Sequence, residues 1–190
     1  SPDVWLCKNI RLGVMKKSVL LLFFAGCVAT GIFGIGRKIP MNRVNDLGQR
    51  EGYWRDSLGE GITHELYYKG GKKDGLFKCF IRNELFLFGE YTADNMSGTW
   101  YMFGDEGELR CTIDSIELNK DSIYTGYCRI FCKYKCYCAD YYPSGAVKSE
   151  GYMVCDEDFM VDFWEIGEWK YYDESGNLIK TKDYGDRRTP

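Results

Sequence analysis

Nine cysteines and one histidine are the side chains best able to do chemistry in this 190-residue chain. Four of the cysteines, Cys128, Cys132, Cys136 and Cys138, lie at spacings of 4, 4 and 2. Even spacings on an extended strand place side chains on one face. A hairpin turning at Lys133–Lys135 would instead put Cys132 and Cys136 on opposite arms. Zinc ribbons are built from paired CxxC steps, and this block has none. The sequence therefore assigns no metal site and implies no cofactor. Setting aside Cys7 and Cys27, which fall in the N-terminal segment treated below, seven cysteines remain. Two readings stay open for them: small apolar residues of a β-core, or disulfides in an exported protein. An odd number leaves at least one free thiol in the second case.

His64 precedes the apolar run Leu66-Tyr67-Tyr68 and neighbours Glu65, which fits a solvated residue beside a strand. With one histidine, any site needing several imidazoles is excluded, and so is any triad not centred on His64. No GxSxG, HExxH, Walker or dinucleotide motif occurs. Gly70-Gly71 sits between alternating segments and reads as a hairpin turn. The acidic run Asp156-Glu157-Asp158 lacks the glycine and terminal glutamate of an EF-hand loop. It reads as part of a long solvated loop between Met153 and Trp164. Nothing points to an enzyme.

The elements that must carry these residues follow from composition. Aromatics make up 16 %, there are 22 glycines, and prolines number only 4. That balance favours a turn-rich β-protein over a helical or disordered one. The formal charge of −3 supplies no basic excess for nucleic acid. Charge is unevenly distributed. Residues 1–26 hold four basic groups (Lys8, Arg11, Lys16, Lys17) and only Asp3, whereas the remaining chain holds 21 basic and 27 acidic groups, a net −6.

The N-terminal segment reads as an address. Met15-Lys16-Lys17 forms a short positive region, Val19–Phe24 an apolar one, and Ala25-Gly26 a small-residue step, the layout of a secretory signal with its native start at Met15. Phe24-Ala25-Gly26-Cys27 resembles the bacterial lipobox, with Phe24 where that pattern has Leu. The resemblance implies lipidation of Cys27. Because Val28 and not Asp follows, it also implies sorting to the outer membrane, facing the periplasm. The alternatives are an uncleaved anchor over Val19–Gly36, whose 18 uncharged residues are barely a membrane span, and an ordinary cleaved signal or a buried segment. Arg37–Asp46 is polar and reads as a tether.

The rest repeats. Gly52, Gly75 and Gly98 are 23 residues apart. Offsets 0, 2, 5, 9 and 11 from Gly98 give Gly98, Trp100, Phe103, Gly107 and Leu109, and recur as Gly167, Trp169, Tyr172, Gly176 and Leu178. Partial copies begin at Gly52, at Gly75, at Gly126 and at Cys136. Each copy predicts an aromatic strand, a polar turn closed by a glycine, and a second strand. A single hairpin cannot bury such a face alone, so the copies must stack. The step from Gly98 to Gly126 is longer, which predicts an extended loop near Asp114–Ser122.

The segments GTWYMFGDEGEL (98–109), YYPSGAV (141–147) and GEWKYYDESGNL (167–178) resemble the MORN repeat, and more closely the bacterial MORN-variant proteins labelled YwqK-like antitoxins. The resemblance implies an all-β fold of stacked antiparallel hairpins in an open, twisted single-layer sheet, plus one apolar N-terminal helix. The resulting organisation is residues 1–26 as upstream extension and signal, 27–47 as anchor cysteine and tether, 48–185 as repeat domain, and 186–190 as tail. The expected function is that of a non-enzymatic, membrane-tethered scaffold binding a protein or an envelope polymer. The aromatic residues Trp100, Tyr101, Trp169 and Tyr171 are the expected contacts. The alternative is an antitoxin or immunity-type protein neutralising a partner toxin. An export signal separates the two, because an exported chain cannot meet a cytosolic toxin.

Overall fold

Turn chemistry sets the architecture. In the computed structural model, residues 40–120, 132–156 and 163–185 are described. They form eleven strands: β1 (Arg43–Val44), β2 (Arg50–Gly59), β3 (Ile62–Lys69), β4 (Lys72–Ile81), β5 (Glu84–Thr92), β6 (Asn95–Phe103), β7 (Leu109–Leu118), β8 (Tyr134–Tyr141), β9 (Val147–Cys155), β10 (Phe163–Tyr172) and β11 (Leu178–Asp183). They lie in chain order in one open sheet. Every neighbouring pair is antiparallel. No helix occurs among the described residues. The all-β hairpin stack expected from the sequence is thus present. Cys27 and the expected signal segment and apolar helix fall outside the described residues.

Two turn types close the described hairpins from β2 onward, one in the first half of the sheet and the other in the second. Glu60-Gly61, Gly70-Gly71, Arg82-Asn83 and Ala93-Asp94 all hold positive φ at both central positions. That is the type I′ geometry whose twist matches the flanking strands. Gly70-Gly71 is therefore the hairpin turn that the sequence predicted. Three further hairpins close through four residues ending in Gly107, Gly145 or Gly176, where the glycine N–H donates to the carbonyl three residues earlier at 2.8–3.0 Å. Asp173 shows why the last of these is stable. Its Oδ1 accepts from the N–H groups of Ser175 and Asn177, both at 2.9 Å. Asn45 does the same for Leu47 and Gln49. Through it the sheet starts at β1, inside the stretch that the sequence assigned to the tether.

The repeat glycine proves to be a bulge. Gly98 sits inside β6 at φ +64. Ser97 pairs with Glu90 and Tyr101 with Phe88, so a four-residue step on β6 faces a two-residue step on β5. The same mismatch surrounds Gly167: Ile166 pairs with Tyr152 and Lys170 with Glu150. A left-handed residue is needed there, and glycine takes it without a Cβ penalty.

The main core lies on one face. Leu66, Phe77, Cys79, Leu87, Tyr91, Trp100, Ile113, Cys136, Cys138, Met153, Cys155 and Trp169 form its main cluster. One sheet can bury wide rings because they lie over a neighbouring backbone that lacks a side chain. A Cβ placed on Gly89 of β5 would lie 2.1 Å from Trp100 Cδ2, and one on Gly151 of β9 would lie 2.5 Å from Trp169. With Gly89 beneath, Trp100 on β6 reaches Phe77 on β4 at 5.4 Å between ring centroids. Burying each indole is worth several kcal/mol. A smaller cluster of Cys132, Val154 and Ile166 packs with Trp164. The edge strand β11 is exposed throughout and carries Lys180 and Lys182, charges that discourage pairing with another strand.

Several sequence expectations are corrected here. Tyr134–Tyr141 is one continuous strand, so no hairpin turns at Lys133–Lys135. His64 lies within β3 and not ahead of it. Asp114–Leu118 extends β7 instead of opening a loop. Met153–Cys155 and Phe163-Trp164 are likewise strand.

Candidate functional site

The pleat separates the residues with chemical potential into two sets. Paired residues in an antiparallel ladder share a face, so the register traces each face across the sheet. Trp54, Leu66 and Phe77 lie in line on the core face. Tyr53 and Tyr67 are paired on the opposite one. That opposite face continues through Phe88 and Tyr101, Thr112 and Ala139, and then Tyr137, Tyr152 and Glu150.

The opposite face is a cross-strand ladder of aromatic pairs. Tyr53 and Tyr67 stand 5.4 Å apart between centroids, Phe88 and Tyr101 6.1 Å, and Tyr137 and Tyr152 5.2 Å. Tyr67 and Tyr152 are 40 % and 46 % exposed. Charges are interleaved with the rings. Arg55 faces Glu65 at 3.9 Å, and the Lys135 ammonium lies 5.3 Å from the Tyr152 centroid. The Tyr172 hydroxyl donates to Glu150 Oε1 at 2.7 Å, and the Tyr142 hydroxyl donates to the Tyr172 carbonyl at 2.9 Å. Beside them a shallow hollow of about 430 Å³ is lined by Ala146, Val147, Glu150, Tyr172 and Glu174, among others.

Three of these phenols hold their protons unusually well, Tyr172 through its bond to Glu150. Desolvation, followed by the hydrogen bond to Glu65, pushes Tyr53 up to about 12. Desolvation and then Glu150 push Tyr137 up to about 12. A carboxylate beside a phenol disfavours the phenolate, so all three stay neutral donors. The face can offer hydroxyl donors, carboxylate acceptors and flat rings to a ligand. It has no nucleophile–base pair among its described residues.

The four contacts expected from the sequence do not share this face. Tyr101 is on it, half-buried beside Phe88. Trp100 and Trp169 are only 1 % and 4 % exposed. Their indole N–H groups donate to the Ser97 carbonyl at 3.2 Å and to the Tyr152 carbonyl at 2.7 Å. Tyr171 packs against the core, its hydroxyl 2.7 Å from that of Tyr184. The two tryptophans therefore hold the sheet from behind. Tyr53, Tyr137 and Tyr152 were missed, although parity could have found them: offset 2 of the repeat is core, so residues an odd step away face outward. Cys27 lies outside the described residues. His64 stacks edge-on to Phe77 at 5.1 Å, inside the core face.

On the core face the cysteines converge. Cys79, Cys111, Cys136, Cys138 and Cys155 are buried there, and Cys132 is buried in the smaller cluster with Val154 and Ile166. Cys111 and Cys138 Sγ are 3.2 Å apart and Cys136 and Cys155 Sγ 3.7 Å. The hydrogen bond to Cys111, then burial, drives the Cys138 thiol far above the usual range. The hydrogen bond to Cys155, then burial, does so for Cys136. Such thiols are poor nucleophiles.

The fold and this face define an open antiparallel β-hairpin repeat with one packed side and one tyrosine-lined side. No family model, curated protein or solved structure matches the chain.

Proposed function

We propose that this chain is a non-enzymatic repeat scaffold that binds a protein or an envelope polymer through its tyrosine-lined face. In this reading it is a MORN-variant protein tethered through Cys27 to the outer membrane and facing the periplasm. The observation that carries the binding reading is the aromatic ladder Tyr53–Tyr67, Phe88–Tyr101 and Tyr137–Tyr152 on the side of the sheet away from the main core. A stack of hairpins needs only one apolar face to fold. A second face of tyrosines, with Tyr67 and Tyr152 well exposed, suits contact at low conformational-entropy cost.

A photoreactive phenylalanine placed at Tyr67, Tyr101 or Tyr152 should crosslink a discrete partner in the intact envelope, while one placed at Lys180 on β11 should not. Equal yields from all four positions, or no adduct from any, would remove the binding reading. Radiolabelled palmitate should enter the wild type and not Cys27→Ala. Equal labelling would remove the lipid anchor. A chain found in the cytosol would return the toxin-neutralising alternative to first place.

A further inference from the structure

We propose that Cys111, Cys138 and Asp140 form a binding site for a thiophilic divalent cation of the zinc class, built on the core face where β7, β8 and β9 meet. Cys111 on β7 pairs directly with Asp140 on β8, and Cys138 lies opposite Ile113 on the same ladder. Residues two apart on a strand share a face, so both β8 ligands point with Cys111. The two sulfurs and a carboxylate oxygen all lie within 4.8 Å of one another. A tetrahedral zinc with Zn–S of about 2.3 Å and Zn–O of about 2.1 Å needs ligand atoms about 3.5–3.8 Å apart. The present Sγ–Sγ distance of 3.2 Å requires an opening of only about half an ångström to reach that value.

The surroundings favour a cation over a simple thiol pair. Asp140 is half-buried on the core face, and its side-chain partner is Ser149, whose hydroxyl donates to Oδ2 at 2.9 Å. Ser149 is itself buried, pairs with Asp140 across β8 and β9, and aims the carboxylate as outer-shell partners of metal ligands do. A disulfide between Cys111 and Cys138 would use both sulfurs and leave that carboxylate against apolar sulfur. A cation takes all three groups, and the two thiol protons leave to solvent. Among the described residues no carboxylate groups with the neighbouring pair Cys136–Cys155, which supplies an internal control. Three protein ligands leave a fourth position on the ion for a water or a small anion. The sequence could not reveal the site, because its three ligands come from two strands and contain no CxxC.

The full chain, kept reduced with a phosphine, is titrated with Co²⁺ as a spectroscopic stand-in and then with Zn²⁺. The expected result is one equivalent of Co²⁺ with thiolate-to-metal charge-transfer absorption, displaced by Zn²⁺. Cys111→Ser and Cys138→Ser should each lose at least half of that absorption. Asp140→Asn and Ser149→Ala should lower affinity about tenfold or more, and Cys136→Ser should leave the spectrum intact. Asp140→Asn keeps the side-chain shape, so the test survives even if a cysteine variant misfolds. Far-UV circular dichroism checks each variant. Absence of charge-transfer absorption in the wild type, its persistence in Asp140→Asn at unchanged affinity, or equal loss in Cys136→Ser would overturn the site. So would peptide mapping of a Cys111–Cys138 disulfide in the chain as isolated.

Discussion

The strands β2–β5 and the strands β6–β11 build the same sheet with different parts. In the first region the hairpins meet at two-residue turns, and the core is Leu66, Phe77, Leu87 and Tyr91. In the second, hairpins close through four-residue turns at Gly107, Gly145 and Gly176, and beyond Trp100 and Ile113 the core is largely Cys136, Cys138, Met153, Cys155 and Trp169. This difference explains why the repeat is sharp in one region and faint in the other. The full template, with a glycine at offset 9 and a leucine at offset 11, is complete only where a four-residue turn ends in Gly107 or Gly176; the two-residue turn Glu60-Gly61 supplies the offset-9 glycine after Gly52 but not the apolar position beyond it. In β4–β5 the turn comes at Arg82-Asn83, so the later template positions vanish while the bulge at Gly75 stays. The backbone repeat outlasts the sequence repeat because positive φ at a bulge restricts residue choice more than turn length does.

Seven substitutions and one change of pH would break or sharpen that comparison. The largest effect is expected at the rings over glycine. Trp100→Ala and Trp169→Ala should each cost about 3–5 kcal/mol. If the two regions fold as one unit, both variants will lower the midpoint of a single urea transition. Two separated transitions would show that the regions unfold independently. Gly89→Ala and Gly151→Ala probe the same contacts from beneath and should cost about 1–3 kcal/mol through displaced indoles.

Turn substitutions should act in opposite senses in the two regions. Gly176→Val forces a branched residue into a φ of +81 and should cost roughly 1–3 kcal/mol by urea denaturation. Ala93→Gly relieves an alanine held at φ +48. It should stabilise by roughly 0.5 kcal/mol, the left-handed strain relieved less the extra freedom of the unfolded chain. A destabilised Ala93→Gly would mean that the type I′ turn is held by contacts other than its own dihedrals.

The smallest effect concerns the tyrosine face. Tyr53 and Tyr137 titrate near 12 when folded, against about 10 when unfolded. Between those values the folded chain keeps protons that the unfolded chain has lost. Their contribution to stability is therefore complete below about pH 10 and falls away as pH rises toward 12. Phenolate absorbance should show a late-titrating group of tyrosines that includes Tyr53 and Tyr137, reduced by one in Tyr137→Phe. Titration of all tyrosines near 10 in the folded chain would remove the claim that desolvation, with Glu65 and Glu150, holds these phenols neutral.

By itself the sequence determined the strands, the stacking and the turns at Gly70-Gly71, Gly107 and Gly176. These are local matters of dihedral preference and alternation, carried by residues close in the chain. It also marked Trp100 and Trp169 as special, although not which way they face. The tertiary structure alone decided three things. It placed both tryptophans in the core, because Gly89 and Gly151, a strand away, leave room for an indole. It set Tyr101 in line with Phe88, Tyr137 and Tyr152, because pairing across the ladder and not chain neighbourhood defines a face. And it brought Cys111 to Cys138 and Asp140 across 27 and 29 residues of chain, a meeting fixed by strand register, which no spacing within one strand encodes.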